Sequence, residues 1–349
     1  VLAGAAILMV FSGIGYAYAT EFWPLLVIAF VGTLNPTASD VGVFVPLEQT
    51  VLSEAVAPAK RTSMFASYSL VRSLAGALGC LFAGAPEMLA RIAPIAMDQA
   101  LRGMFVSYAL LGAAAFIIYR RLNLSMIPAQ RTSTTIPLGP SRRTVYTLAA
   151  LFSLDSFGGG FFVQSLMALW LFERFGLSLT ATASLFFWTG VLSAFSYAVA
   201  ARLASRIGLV NTMVLTHLPS NLCLMLVPCA PGLEIAIALL LVRSALSQMD
   251  VPARTSYVMA VVTPPERPAS ASITAAPRSI AGAASPILAG YLLGLSTSGW
   301  PLVIGGALNS LFDLLLFGMF RGVRPPEEQL SDVPGHAAVG AERKISASE

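Results

Sequence analysis

The sequence predicts an all-α integral membrane protein built from two related helix bundles, on three observations. The first is composition: hydrophobic residues make up 56% of the chain and charged ones 11%, against roughly 25% charged in an ordinary soluble domain. A chain this apolar, with a mean hydropathy of +0.76, has to use lipid as its main solvent. The second is a series of about ten apolar segments, each near the roughly 20 residues a helix needs to cross hydrocarbon. They lie near 1–18, 23–51, 63–84, 103–119, 144–171, 179–201, 209–228, 233–257, 268–294 and 300–320. The third is an internal repeat: Val56–Gly84 aligns without a gap on Val262–Gly290, and ten of the 29 positions are identical. The offset is a constant 206 residues, as between Arg72 and Arg278, and Pro46 meets Pro252 at the same shift. A repeat of this length in an apolar chain points to duplicated membrane bundles.

The placement of basic residues orients the segments better than the net charge of +4. One set of connections holds Lys60, Arg61, Arg120, Arg121, Arg131, Arg142, Arg143, Arg202, Arg206, Arg267, Arg321 and Arg324; the opposite set holds Arg91, Arg102 and Arg174. By the positive-inside rule the first set is cytoplasmic, which places the central connection and the tail inside. The predicted organisation is a first bundle over 1–119 with four spans and a basic cytoplasmic linker over 120–143. A second bundle of six spans follows over 144–320, then a disordered cytoplasmic tail over 321–349. No cleavable signal peptide is expected, since the first apolar run already includes Val1. The offset leaves 144–171 and 179–201 without counterparts. The expectation is therefore an N-terminally incomplete chain lacking two helices, with a ten-span protein as the alternative. Cys80, Cys223 and Cys229 sit in apolar runs without metal-like spacing and read as small buried hydrophobes.

The stretch Ala201-Arg202-Leu203-Ala204-Ser205-Arg206-Ile207-Gly208 lies between two spans. It resembles the second-half copy of the cytoplasmic loop signature of the major facilitator superfamily, Gly-x-x-x-Asp-Arg-x-Gly-Arg-Lys/Arg. Arg206 and Gly208 match; Ser205 stands in the Asp position, and Leu209 and Val210 replace the final basic pair. The duplicated bundles and basic linker extend the resemblance over residues 1–320. It implies two pseudo-symmetric six-helix bundles and transport of a small molecule by alternating access. A second motif of the superfamily, the Gly-Pro-x-x-Gly-Gly run of drug–proton antiporters, falls on Ala75–Cys80. Only Gly79 fits, and small residues there also let helices approach closely in lipid.

Ionisable residues at membrane depth cost roughly 2.5–3.5 kcal/mol on insertion scales and mark pathways or internal pairs. Here they are Asp40, Glu48, Arg72, Asp155, Arg243, Asp250, Arg254, Arg278 and Asp313. Each has two readings: substrate or proton chemistry, and structural salt bridge or gate. Asp155 precedes Gly158-Gly159-Gly160, which allow the helix to break, with Gln164 one turn beyond. Its alternative is a buried acid paired with Arg243 or Arg278. Arg243, Ser247, Asp250 and Arg254 share one face of a single helix by spacing. Arg243 is the candidate to hold an anionic group, while Asp250 and Arg254 can pair on their own helix. Asp40, after Asn35-Pro36-Thr37, is the candidate proton carrier of the first bundle. The resemblance implies gating for Glu48, and gate or anion contacts where the bundles meet for Arg72 and Arg278; Arg206, Asp250 and Arg254 are read with them as gating or inter-bundle contacts, the last two chiefly as a structural pair. His217, beside Pro219, reads as a hydrogen-bonded structural histidine, and Asp313 stands alone in its helix.

These residues point to a secondary transporter coupled to protons and working in efflux. The alternatives are organic-anion uptake or facilitated diffusion through the membrane arginines, and a non-transporting sensor or inactive fragment. An enzyme is not expected: the sequence shows no paired-histidine metal site, nucleophile elbow or phosphate-binding glycine loop. No cofactor, metal or nucleic acid is expected. The expected partners are a small-molecule substrate, protons and the lipid bilayer, for a monomer in the plasma (inner) membrane.

Overall fold

A computed structural model describes residues 2–32, 61–121, 139–263 and 266–321. Among these the secondary structure is helical, with no strand. The α-helices are α1 Leu2–Tyr18, α2 Phe22–Val31, α3 Arg61–Phe82, α4 Ala85–Ile92, α5 Met97–Arg121, α6 Arg142–Gly159, α7 Gln164–Phe175, α8 Leu179–Ile207, α9 Leu209–Leu226, α10 Leu233–Ser247, α11 Asp250–Val261, α12 Arg267–Leu295 and α13 Trp300–Phe320. Six stretches of the described residues are long and apolar enough to cross a membrane: Ser67–Ile92, Met97–Arg121, Arg142–Phe175, Leu179–Ala204, Leu209–Cys229 and Trp300–Phe320. Large apolar side chains stand outward, including Phe30 at 91%, Ile92 at 82% and Ile287 at 75% exposure. In water these would be aggregation sites; in lipid they are matched to their solvent.

The helix breaks follow local chemistry. Gly176 closes α7 at φ 63°, its N–H reaching the Phe172 carbonyl, and Gly208 separates α8 from α9 at φ 84°. Both conformations are ones that residues with a Cβ rarely adopt. The glycine of the loop signature is therefore required by the turn itself. At Gly158-Gly159-Gly160, α6 gives way to a 3₁₀ turn over Gly160–Phe162 before α7 begins at Gln164, as the glycine run predicts. The segment expected as one helix over 233–257 is instead two: α10 stops at Ser247, and α11 starts at Asp250. Gln248 accepts a hydrogen bond from the Tyr197 hydroxyl at 2.8 Å in that break.

The chain divides into two compact units, Val1–Arg131 with Val163–Ala194, and Thr132–Phe162 with Phe195–Glu349. In the first, small residues set the helix spacing. A Cβ on Gly13 of α1 would meet Ala109 and the Phe105 carbonyl of α5 at 2.8 Å, and Tyr16 stacks on Phe105 at 5.3 Å. Gly190 of α8 faces Ala77 of α3, and Gly84 faces Ala183 and Thr180. Where lipid removes the hydrophobic drive between helices, such contacts supply the packing. Glu87 of α4 accepts the Thr180 N–H at 2.7 Å, satisfying a free donor in the first turn of α8, and pairs with Arg91 at 2.6 Å.

The second unit has an apolar core drawn from four helices: Leu148, Leu151 and Phe152 of α6; Val210, Met213 and Val214 of α9; Ala253, Tyr257 and Val258 of α11; and Phe312, Leu316 and Phe320 of α13. Glycines again permit close crossings. Gly158 packs on Asn309, Gly160 on Ser285 and the Gly282 carbonyl, and Gly305 on Phe162 and the Gly158 carbonyl. Gly282 belongs to the second copy of the repeat, as Ala77 belongs to the first, so each copy puts a small residue on a helix seam, though not at equivalent positions. At the start of this unit Glu266 receives the Gly139 N–H and the Thr263 hydroxyl, joining the entry to α6 with the α11–α12 connection.

Candidate functional site

One turn along each helix from that core lies a layer of polar side chains. The register makes it: Asp155 follows Leu151 and Phe152, His217 follows Met213 and Val214, Arg254 precedes Tyr257 and Val258, and Asp313 precedes Leu316. All four helices thus change from apolar to ionisable at one level. Asp155, Asp250, Arg254, His217 and Asp313 are all buried, Asp313 completely.

Arg254 is the hinge of one half of the layer. Its Nη1 donates to Asp155 Oδ2 at 2.8 Å, and its Nη2 donates to Asp250 Oδ2. Its guanidinium also lies over Phe152 and Phe312, at 5.3 and 5.8 Å from the ring centroids. One cation therefore ties α6 to α11. The other half belongs to α9 and α13. His217 Nδ1 lies 3.0 and 3.1 Å from the two Asp313 carboxylate oxygens, and Asn221 Nδ2 donates to Asp313 Oδ2 at 3.0 Å. Phe312 stands between the halves, edge-on to the His217 ring at 6.3 Å.

Arg243 lies apart from this layer. Its guanidinium sits over the Phe162 ring at 4.6 Å, and its Nε is buried without a hydrogen-bond partner. The backbone near it is fixed by Ser220, whose hydroxyl donates to the Arg243 carbonyl at 3.2 Å. An arginine with a ring beneath it and a buried donor unspent can receive an anionic group.

The structure brings together Asp155, Asp250 and Arg254 from among the expected site residues. The expected partner of Asp155, Arg243 or Arg278, is corrected to Arg254, because the packing of α6 against α11 brings that guanidinium to 2.8 Å while Arg243 lies over Phe162. The pairing of Asp250 with Arg254 is present. Asp313 is not alone; its partner is His217. Gln164 belongs to the first unit, where its amide donates to Cys80 Sγ at 3.0 Å. Arg72 is half-buried on α3, Arg278 is exposed on α12, and Arg206 is exposed in the last turn of α8. Asp40 and Glu48 lie outside the described residues. Sequence reasoning missed the His217–Asn221–Asp313 cluster. Its signal was present as polar residues four apart, His217 with Asn221 and Asn309 with Asp313, inside otherwise apolar helices. Among the described residues no group of three or more His, Cys, Asp or Glu side chains could hold a metal ion.

No family model matches the sequence. An uncharacterized membrane protein of Saccharomyces cerevisiae, YJR124C, is 25% identical over 357 aligned positions, covering 93% of this chain and 80% of the yeast protein. Among solved structures, the chain is similar to an inward-facing, unoccupied bacterial homologue of the human lysosomal transporter Spinster. That match has a TM-score of 0.64 and 14% identity, covering 92% of this chain and 82% of the other. The human organic anion transporter MFSD10 (TETRAN) matches at 0.59 with 18% identity, covering 90% and 76%. The peptide transporter POT matches at 0.63 with 12% identity, covering 92% and 79%. The protein is therefore an all-α integral membrane protein with the major facilitator fold.

Proposed function

We propose that this protein is a secondary transporter, moving a small molecule by alternating access with proton coupling, in the direction of efflux. The observation that carries the reading is the buried ionic layer of the second unit, within a fold similar to those of three transporters. Charged groups at this depth are expensive, and a fold stabilised by packing alone has no need of five of them. In this reading Asp155, Arg254 and Asp250 form a tie between helices that can open and close, and Asp40 carries a proton in the first bundle. Arg72, Arg206, Arg278 and Glu48 serve gating or contacts between bundles, and Gln164 lines the pathway. The basic connections favour a cytoplasmic linker and tail, and in this reading the protein is a monomer of the plasma (inner) membrane without enzymatic activity.

Arg243 supports a second reading, transport of an organic anion, because its guanidinium keeps a buried donor without a partner. The human organic anion transporter among the similar structures agrees with it. Proteoliposomes of the full chain, screened with carboxylates and lipophilic cations under an imposed pH gradient, test both. Flux of lipophilic cations that follows the gradient supports proton-coupled efflux. Carboxylate flux abolished by Arg243→Ala supports the anion. Flux indifferent to the imposed pH gradient removes proton coupling, flux unchanged by Asp40→Asn together with Asp155→Asn removes those two acids as the carriers, and absence of flux in every arm removes the transporter reading.

A further inference from the structure

The layer has more acid than base. Asp155, Asp250 and Asp313 face one permanently charged residue, Arg254, which already bonds the first two. Three ionised carboxylates would leave two negative charges without a compensating arginine, where each buried, unpaired charge costs several kcal/mol. Compensation from outside the layer is limited. Arg278 acts on Asp250 from an exposed position on α12, and Arg243 of α10 is engaged with Phe162. Tyr257 of α11 is fully buried. The remaining group able to supply positive charge is the His217 imidazole, on which Asp155, Asp250 and Asp313 all act electrostatically.

The geometry also selects which nitrogen exchanges the proton. Asp313 holds two carboxylate oxygens at 3.0 and 3.1 Å from Nδ1, and Asn221 fixes that carboxylate from the side. A carboxylate there keeps a hydrogen on Nδ1 in both states of the ring. Uptake then forms an N–H bond at Nε2, giving imidazolium, and release breaks that same bond and returns neutral imidazole. One turn away on the same two helices, the amide oxygens of Asn221 and Asn309, buried at 1% and 3% exposure, have no protein donor. They are acceptors that a transferring proton can use.

We propose that His217, oriented by Asp313, is a proton-binding site of the second unit, taking up and releasing one proton at Nε2 beside the Arg254 tie. This deepens and rests on the transporter reading: the arrival of positive charge on His217 competes with Arg254 for Asp155 and Asp250, which couples protonation to the tie between α6 and α11. It places a proton carrier on α9 and α13, apart from the Asp155 and Asp40 positions expected from sequence.

The chain has two histidines, His217 and His336. ¹⁵N-histidine NMR of the full chain carrying His336→Asn, reconstituted in lipid, therefore reports on His217 alone. The expected result is an Nδ1 that stays protonated at all pH values and an Nε2 that titrates. Asp313→Asn should weaken proton affinity about tenfold or more, as loss of an adjacent carboxylate does. An Nε2 signal unchanged across the titration in the otherwise unaltered chain overturns the proposal, and so does titration indifferent to Asp313→Asn. If that variant does not fold, the titration of the unaltered ring still decides. No substrate is needed, so failure here is distinct from failure of the flux assay that tests transport.

Discussion

In the first compact unit Gly13 lies against Ala109, Gly112 against Met9 and Val10, and Gly190 against Ala77; in the second, Gly158 lies against Asn309 one turn from a buried arginine and three carboxylates. Both units therefore use glycine to bring helices together, and among the described residues the approach continues into a buried ionic layer in the second. The difference matters for motion. A seam of methyl groups against bare backbone can part and re-form, because lipid tails replace the lost dispersion at little cost. A seam held by Arg254 between Asp155 and Asp250 cannot part without leaving buried charge unpaired, unless protons or a charged ligand compensate. Among the described residues the buried seams of the first unit are thus held by shape, and those of the second by shape plus charge.

The largest effect expected from breaking this contrast is at Arg254. Arg254→Met leaves Asp155 and Asp250 buried without their base and should cost about 3–5 kcal/mol, read as a lowered thermal unfolding midpoint in detergent. Adding Asp155→Asn to that variant should recover part of the loss, which a purely steric role for Arg254 would not allow. Phe312 lies between the two halves of the layer with 1% exposure. Phe312→Ala should cost about 3–5 kcal/mol in the same measurement, and should also alter the His217 signal.

The shape-held unit should respond to volume instead. Gly13→Ala forces a Cβ onto Ala109 and backbone atoms of α5, a clash worth about 1–3 kcal/mol. Gly103→Ala meets nothing within 4 Å and should be neutral or stabilising by up to about 1 kcal/mol through helix propensity. Equal responses at these two positions would rule out small residues as the cause of the α1–α5 spacing. The smallest effect is at Glu266. Hydrogen bonds from Ser141, Thr263 and the Gly139 N–H hold its carboxyl below the usual carboxylate range. The folded chain thus gains from this clasp at neutral pH and loses it as pH falls through the depressed value. Hydrogen exchange at Gly139–Ser141 should rise in that acidic window, and Glu266→Gln should show the raised exchange at neutral pH.

Much of the architecture was legible in the sequence because lipid imposes simple rules on a chain. The apolar helices follow from hydropathy, and the helix break from three consecutive glycines. Gly208 was legible as part of a signature, and the structure supplies its reason in a left-handed turn. The site was legible only as an inventory. Spacing along one chain placed Arg243 and Arg254 on a common helical face, and that failed because two residues, Gln248 and Met249, interrupt the helix and reset its phase.

What the sequence by itself determined is an apolar, helical chain with a repeat over Val56–Gly84 and Val262–Gly290, since these depend on composition and order along the chain. Which charge meets which across different helices was decided by the tertiary structure alone. Arg254 reaches Asp155 across 99 residues, and His217 reaches Asp313 across 96. Nothing local encodes those pairings; they arise because four helices pack so that their apolar turns coincide, and the next turn of each is then brought to a single level. In a medium that does not screen charge, that coincidence turns isolated ionisable residues into a coupled site.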